Sequence, residues 1–287
     1  MADTRTTPRR WRLAHGRSIE LGAQAVVMGI LNVTPDSFSD GGRFDDLGRA
    51  VAQAERMVAE GATIIDVGGE STRPGGTPIG AAQEQARVLP VLEALAARLD
   101  VVLSIDTYRS ETARLALAAG AHIVNDVWGL SRDPALAALA AETGAGLVIM
   151  HTGRERQKHP DVIADQHVFL EPALATARAA GVADAQIALD PGFGFAKDAD
   201  ENLALAARFE ELAAFGLPLV AGTSRKRFIG HATGREGGAA RAAGTAATSA
   251  ILRLKGASVF RVHDVAINVD ALRMTDAILA ARPGGAE

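Results

Sequence analysis

The chain has 287 residues, with 30 lysines and arginines against 34 aspartates and glutamates, and its net charge of -4 gives no reason to expect a nucleic-acid partner. It has no cysteine, which excludes disulfides, thiolate zinc sites and a cysteine nucleophile. No apolar run approaches the roughly 18 residues that span a bilayer, and Met1-Ala2-Asp3-Thr4-Arg5 leads into no apolar signal segment, so a cytoplasmic protein with a small ligand and no membrane partner is expected.

Residues 5–17 carry five arginines and no acid, and read as a loosely held tail entering a first hairpin. The hairpin, placed over 12–25, is expected to cover the bottom of a barrel. From residue 26 to 281, short Val/Ile/Leu runs alternate with Ala-rich amphipathic stretches, the pattern of repeated βα units around a parallel sheet. Strands are expected over 25–31, 63–67, 101–105, 122–124, 146–149, 187–189, 219–221 and 258–262, each followed by a helix. Residues 49–60 put Ala50, Val51, Ala54, Met57 and Val58 at helical spacing before Gly61, and 134–143 repeat that grammar before Gly144. Eight units without a G-x-G-x-x-G turn favour a closed (β/α)8 TIM barrel of the α/β class over an open Rossmann sheet. The expected organisation is a tail and hairpin over 1–24, one barrel domain over 25–282 and a short tail over 283–287. Two connections, 34–46 and 68–78, are longer than α/β loops usually are and read as binding loops.

The residues just after each strand carry the chemistry. They are Asn32, then Glu70 to Gly75, Asp106, Asn125 and Asp126, Met150 and His151, Asp190, Ser224 to Lys226, and Arg261 with His263. In a barrel these positions ring one mouth. Carboxylates such as Asp106 and Asp190 are costly to bury unless they meet donors. A planar ligand with a guanidine-like edge, as in pterins, offers two parallel donors, and Asn125 can donate and accept around the same ring. The alternative for a single Asp is that it caps the next helix. Lys226, Arg261 and His263 follow strands seven and eight, where barrels often hold phosphate. Arg73 and Asn32 face the same anion from the other side, Asn32 through its amide oxygen to a Mg²⁺ ion that keeps most of its waters. No Ser-His-Asp order, H-E-x-x-H or glycine-rich nucleotide loop is present, so covalent nucleophilic catalysis is unsupported. His159 and His167 read as surface residues.

Seven motifs in order, spread over nearly the whole chain, make it resemble the dihydropteroate synthase family. They are Met28 through Gly42, Asp66-Val67-Gly68-Gly69-Glu70-Ser71-Thr72-Arg73-Pro74-Gly75, Ser104-Ile105-Asp106-Thr107, Asn125-Asp126-Val127, Leu189-Asp190-Pro191-Gly192-Phe193-Gly194-Phe195, Gly222-Thr223-Ser224-Arg225-Lys226 and Arg261-Val262-His263-Asp264. The resemblance implies a transferase of folate biosynthesis that joins 4-aminobenzoate to (7,8-dihydropterin-6-yl)methyl diphosphate, giving 7,8-dihydropteroate and diphosphate. It also implies a homodimer and inhibition by sulfonamides.

By the same similarity Asp106, Asn125, Met150, Asp190 and Lys226 hold the pterin, while Asn32 with Mg²⁺, Thr72, Arg73, Arg261 and His263 hold the diphosphate. Phe38, Ser71, Thr72, Pro74, Ser224 and Lys226 are assigned to aminobenzoate, and Asp36, Asp40, Lys226 and Arg73 to catalysis, an acid at 36 or 40 steadying a cation on the methylene carbon. An aniline-type amine is a weak nucleophile, so the barrier falls mainly by helping diphosphate leave. Two places depart from the family wording: Arg227 stands where many relatives have serine, and the segment from His151 to Gln157 lacks Met-Gln-Gly, which leaves the role of His151 open. A pterin-dependent methyltransferase of the same barrel would have no use for Arg261 and His263, and a catalytically silent paralogue need not keep Asn32, Arg73, Lys226 and Arg261.

Overall fold

The computed structural model describes residues 8–34, 43–70 and 78–281, the side chains of 43–45 excepted. The expected hairpin is present as β1 (Arg9–Arg12) and β2 (Ser18–Leu21), paired antiparallel with Trp11 opposite Ile19. It begins three residues earlier than expected, because Trp11 belongs to the strand and not to the tail.

The eight barrel strands are β3 (Val26–Asn32), β4 (Ile64–Gly68), β5 (Val102–Asp106), β6 (Ile123–Asp126), β7 (Gly146–Met150), β8 (Ile187–Asp190), β9 (Val220–Ala221) and β10 (Val259–Val262). They pair in parallel in the order β8-β7-β6-β5-β4-β3-β10-β9. Leu189 of β8 bridges Leu219, just before β9, and closes the ring. A helix follows each strand on the outside, from α1 (Arg43–Ala59) through α2 (Ala81–Arg98), α3 (Ser110–Ala118), α4 (Ala135–Thr143), α5 (Val162–Ala179), α6 (Ala199–Ala207), α7 (Arg227–Thr233) and α8 (Ala242–Leu254) to α9 (Val265–Ala280). The expected stop signals act as read: Gly144 takes the left-handed conformation after α4 with φ 70°, and Gly61 follows α1 at φ 105°. No described helix is long and apolar enough to cross a membrane.

Strand alternation divides the buried residues into two cores. Leu31, Ile65, Leu103, Val124, Ile149, Leu189 and Phe260 face the helices. Met28, Ile64, Val102, Ile123, Val148, Ala188 and Val259 fill the barrel, where the hairpin's Trp11, Leu13, Ile19 and Leu21 join them. The hairpin therefore plugs the amino-terminal end, and Trp11 Nε1 donates to the Gln186 carbonyl at 2.8 Å. This plug leaves the opposite end open for chemistry.

Gly146 starts β7 against that plug. A Cβ there would stand 2.5 Å from Leu13 Cδ2 and 3.2 Å from Ile123 Cγ1, so Gly146→Ala is expected to cost about 1–3 kcal/mol of stability by overpacking. Urea unfolding measures this, and a variant as stable as wild type would show that the hairpin does not seat tightly.

Candidate functional site

Most strands end one residue later than the sequence pattern suggests, and the shift places the polar groups. Asn32, Asp106, Met150 and Asp190 are the last residues of β3, β5, β7 and β8, so they lie in the sheet and not in the following loops. Asp106 pairs in register with Asn125 and Gly68, and Met150 with Asp190. Asp106, Asn125, Met150 and Asp190 are all buried, so the expected pterin set converges on one end of the barrel.

Arg261 of β10 is the hub of this end. Its Nε donates to Asp66 Oδ2 and its Nη2 to Asp106 Oδ2, both at 2.6 Å. Asn125 Nδ2 donates to the same Asp66 oxygen at 3.1 Å. Burial opposes the guanidinium charge, but Asp66 and Asp106 outweigh it and raise the Arg261 pKa. For Asp106, burial pushes the carboxyl upward and Arg261 pulls against it. Asp66 is a residue that the strand-end reading missed. Its signal is a carboxylate inside an apolar run, Ile64-Ile65-Asp66-Val67, where packing alone calls for another aliphatic residue.

Asp190 sits on the facing side. Its Oδ1 accepts from the Gly192 N–H at 2.7 Å, and burial raises its pKa while that N–H, Lys226, Arg261 and Lys197 favour the ionised form. Lys226 precedes α7 and holds its ammonium 4.1 Å from the centre of the Phe195 ring. Burial lowers its pKa to about 8, with Arg261 adding to the effect and Asp190 and Asp106 opposing it. Arg154 stacks 3.8 Å over Trp128 and lies 4.9 Å from Phe195, extending a ladder of cations and rings outward from Lys226. Phe195, Arg154 and Trp128 had no place among the expected site residues, because stacking across three loops leaves no periodic trace in sequence.

His263 and Ser224 are locked together. Ser224 Oγ accepts from the His263 N–H and meets His263 Nδ1, each at 3.0 Å. Ser224 thus orients His263. Arg227, at the start of α7, is exposed, whereas the preceding Arg225 pairs with Asp264. Asp126 does not join the mouth cluster; its carboxylate accepts from the N–H groups of Trp128 and Leu130, the loop-capping role that single aspartates often take. His167 has partners the sequence did not suggest, Glu171 at 2.9 Å and the Phe215 ring.

Asn32 also suits a hard cation. A Cβ at Gly68 would stand 3.7 Å from Asn32 Oδ1, so that oxygen borders a patch of bare backbone, while Asp106 Oδ2, 3.6 Å from the same point, is held by Arg261. A single amide oxygen fits a Mg²⁺ ion that keeps most of its waters, and no group of three or more acidic, histidine or cysteine ligands occurs among the described residues. Asp36, Phe38, Asp40, Ser71, Thr72, Arg73 and Pro74 lie outside the described residues.

Residues 28–263 match the family model described as pterin binding enzyme. The dihydropteroate synthase of Escherichia coli strain K12 is 45% identical over 275 residues, which cover 94% of this chain and 96% of that protein. A Xanthomonas albilineans dihydropteroate synthase solved with 4-aminobenzoic acid superposes with a TM-score of 0.90 at 42% identity, over 95% of this chain and 100% of that one. The Yersinia pestis enzyme in a sulfonamide drug complex gives 0.86 at 40% identity, over 94% and 98%.

Proposed function

The chain belongs to the dihydropteroate synthase family of pterin binding enzymes, which are transferases, and we propose that its barrel mouth joins 4-aminobenzoate to the methylene carbon of (7,8-dihydropterin-6-yl)methyl diphosphate. The observation that carries this reading is the convergence of Asp106, Asn125 and Asp190 with Lys226 and Arg261 at one end of the barrel. Two carboxylates on opposite sides of a buried floor match the donor-rich edges of a pterin ring, and Asn125 supplies the mixed donor and acceptor between them. Met150, opposite Asp190 in register, supplies an apolar wall.

The cationic side of the mouth serves the leaving group. Lys226, Arg261 and His263, the last held by Ser224, favour the charge that grows on diphosphate as the carbon–oxygen bond breaks. A bound Mg²⁺, which Asn32 would hold through its amide oxygen, would neutralise part of that charge. The amine of aminobenzoate then bonds to the methylene carbon and gives up a proton. No strong general base is needed, since the protonated secondary aryl amine is acidic. Phe38, Ser71, Thr72, Arg73 and Pro74 are assigned to the aminobenzoate side by resemblance, and Asp36 or Asp40 to the steadying of the cation. The sulfonamide complex of the Yersinia pestis relative supports sulfonamides as competitors of aminobenzoate here too. A homodimer is supported by Ile267, Met274 and Ile278, which are exposed on α9 at spacings that place them along one stripe.

Diphosphate release decides the reading. Purified protein is expected to release diphosphate from the pterin substrate only with Mg²⁺ and aminobenzoate together, and Asn32→Ala is expected to raise the Mg²⁺ concentration needed for half-maximal rate. A folded protein with no release would return the silent paralogue as the better account.

A further inference from the structure

Behind the pterin floor lies a buried polar cluster that none of the steps above uses. Lys197, in the loop after β8, points its ammonium inward, where Nζ meets His151 Nδ1 at 2.8 Å and donates to the Gly192 carbonyl at 2.9 Å. His151, the residue after β7, is fully buried and lies 3.0 Å through Nε2 from Asp165 Oδ2 on α5. Arg156 closes the cluster with bonds of 2.9 and 2.6 Å to the two Asp165 oxygens.

Both ring nitrogens of His151 are engaged: Nδ1 meets Lys197 Nζ, and Nε2 lies 2.8 Å from Arg156 Nη2 as well as 3.0 Å from Asp165 Oδ2. Burial keeps that ring neutral, with its pKa near 4. The chain of contacts runs from α5 through His151 and Lys197 to the Gly192 carbonyl without a break.

Gly192 is where this chain reaches the pterin site. Its N–H holds Asp190 Oδ1 at 2.7 Å while its carbonyl accepts from Lys197, so one residue couples the buried ammonium to the site carboxylate. It adopts φ 68°, and a Cβ there would stand 1.9 Å from the His151 carbonyl oxygen, which shows how closely the turn is pressed on the end of β7. Asn202 braces the far side of the loop, accepting from the Gly194 N–H at 2.7 Å and donating to the Lys197 carbonyl at 3.0 Å.

We infer that Lys197 is a positioning residue for the pterin site: it ties the Asp190–Gly192 turn to His151 and thereby sets the position and charge of the carboxylate that binds the pterin edge. The inference rests on the functional reading given above. It has an electrostatic part as well as a geometric one. Asp190 faces Lys226 before α7, Arg261 on β10 and Lys197, and these cations oppose the burial that favours its protonated form. Lys197 itself faces Asp190, Asp165, Arg156, Lys158 and His151; burial lowers its pKa to about 7 against the pull of Asp190 and Asp165, so it carries its full charge on the acid limb.

Steady-state kinetics of Lys197→Met and Lys197→Gln, with thermal melting of both, tests this. For Lys197→Met we expect KM for the pterin diphosphate to rise about tenfold or more, the loss of one charge-assisted hydrogen bond, while KM for aminobenzoate stays within about twofold. The acid limb of kcat/KM for the pterin substrate moves to higher pH, because Asp190 loses one of the three cations that favour its ionised form. Lys197→Gln restores a donor without the charge, so it should recover part of the KM and none of the pH shift. Unchanged pterin KM and pH profile in folded Lys197→Met would overturn the inference, as would an equal rise in both KM values. Wild-type protein run alongside separates the two ideas: no turnover there sinks the functional reading, whereas normal turnover with an unaffected variant sinks only the role of Lys197.

Discussion

Arg261→Met should lower the stability of the protein by about 3–5 kcal/mol, a drop of roughly 10 °C in Tm, in addition to removing its activity. The size follows from what the substitution leaves behind. Asp66 is fully buried and Asp106 nearly so, and each directs Oδ2 at the guanidinium. Methionine fills much of the volume but leaves two carboxyl groups facing each other without a cation. Asp66 would keep a single side-chain donor, Asn125. A second change, Asp66→Asn, should return a large part of the loss, because it removes one of the stranded charges while keeping the shape. The penalty also depends on pH, with a definite sign. Asp106 already has a raised pKa in the fold, and loss of Arg261 raises it further, so the native state holds a proton that the unfolded chain releases. Stability of the variant then falls as pH rises through that window, and the gap from wild type should be smaller at pH 5 than at pH 8. Urea unfolding at the two values measures it; equal penalties at both would mean that Asp106 does not respond to Arg261.

The barrel and its mouth were legible in sequence because both rest on local signals. Apolar runs of strand length, glycine stops at Gly61 and Gly144, and a polar residue closing nearly every run place Asn32, Asp106, Asn125 and Asp190 without knowledge of any contact. What was not legible depends on which side chain meets which across the ring. Arg261, read as a diphosphate ligand, also bridges two acids from β4 and β5, 195 and 155 positions away in the chain. Ser224, assigned to aminobenzoate by resemblance, also meets His263, a pairing with no local signal. His151 has no role legible in sequence because its partners, Lys197 and Asp165, come from the loop after β8 and the first turn of α5. Local pattern fixes where a residue stands along its strand, whereas pairing depends on barrel geometry that no short window contains.

Lys226→Met provides the contrast to Arg261, since its activity and its stability should move in opposite directions. The ammonium of Lys226 lies against Phe195 and makes no direct ion pair with a carboxylate among the described residues; its burial lowers the pKa from 10.5 to about 8. A lysine whose folded pKa is depressed disfavours folding while charged, and the native state binds fewer protons than the unfolded chain between those two values. Wild-type stability therefore gains from this group as pH rises through that interval, and Lys226→Met, which carries no charge, should melt no lower than wild type at pH 7. Catalysis runs the other way. Only the charged form helps the diphosphate leave, so kcat/KM, which reports the free enzyme, should fall as pH rises through about 8. Removing the charge altogether should cost about 10²–10³ in kcat/KM, the usual effect of deleting one preorganised electrostatic group. Lys226→Arg keeps a cation that does not titrate in this range, so whatever activity it retains should lack the alkaline limb. Should Lys226→Met lose stability in step with activity, or keep a wild-type alkaline limb, the assignment of that limb to Lys226 fails and the cation acting on diphosphate has to be sought in Arg261 or His263.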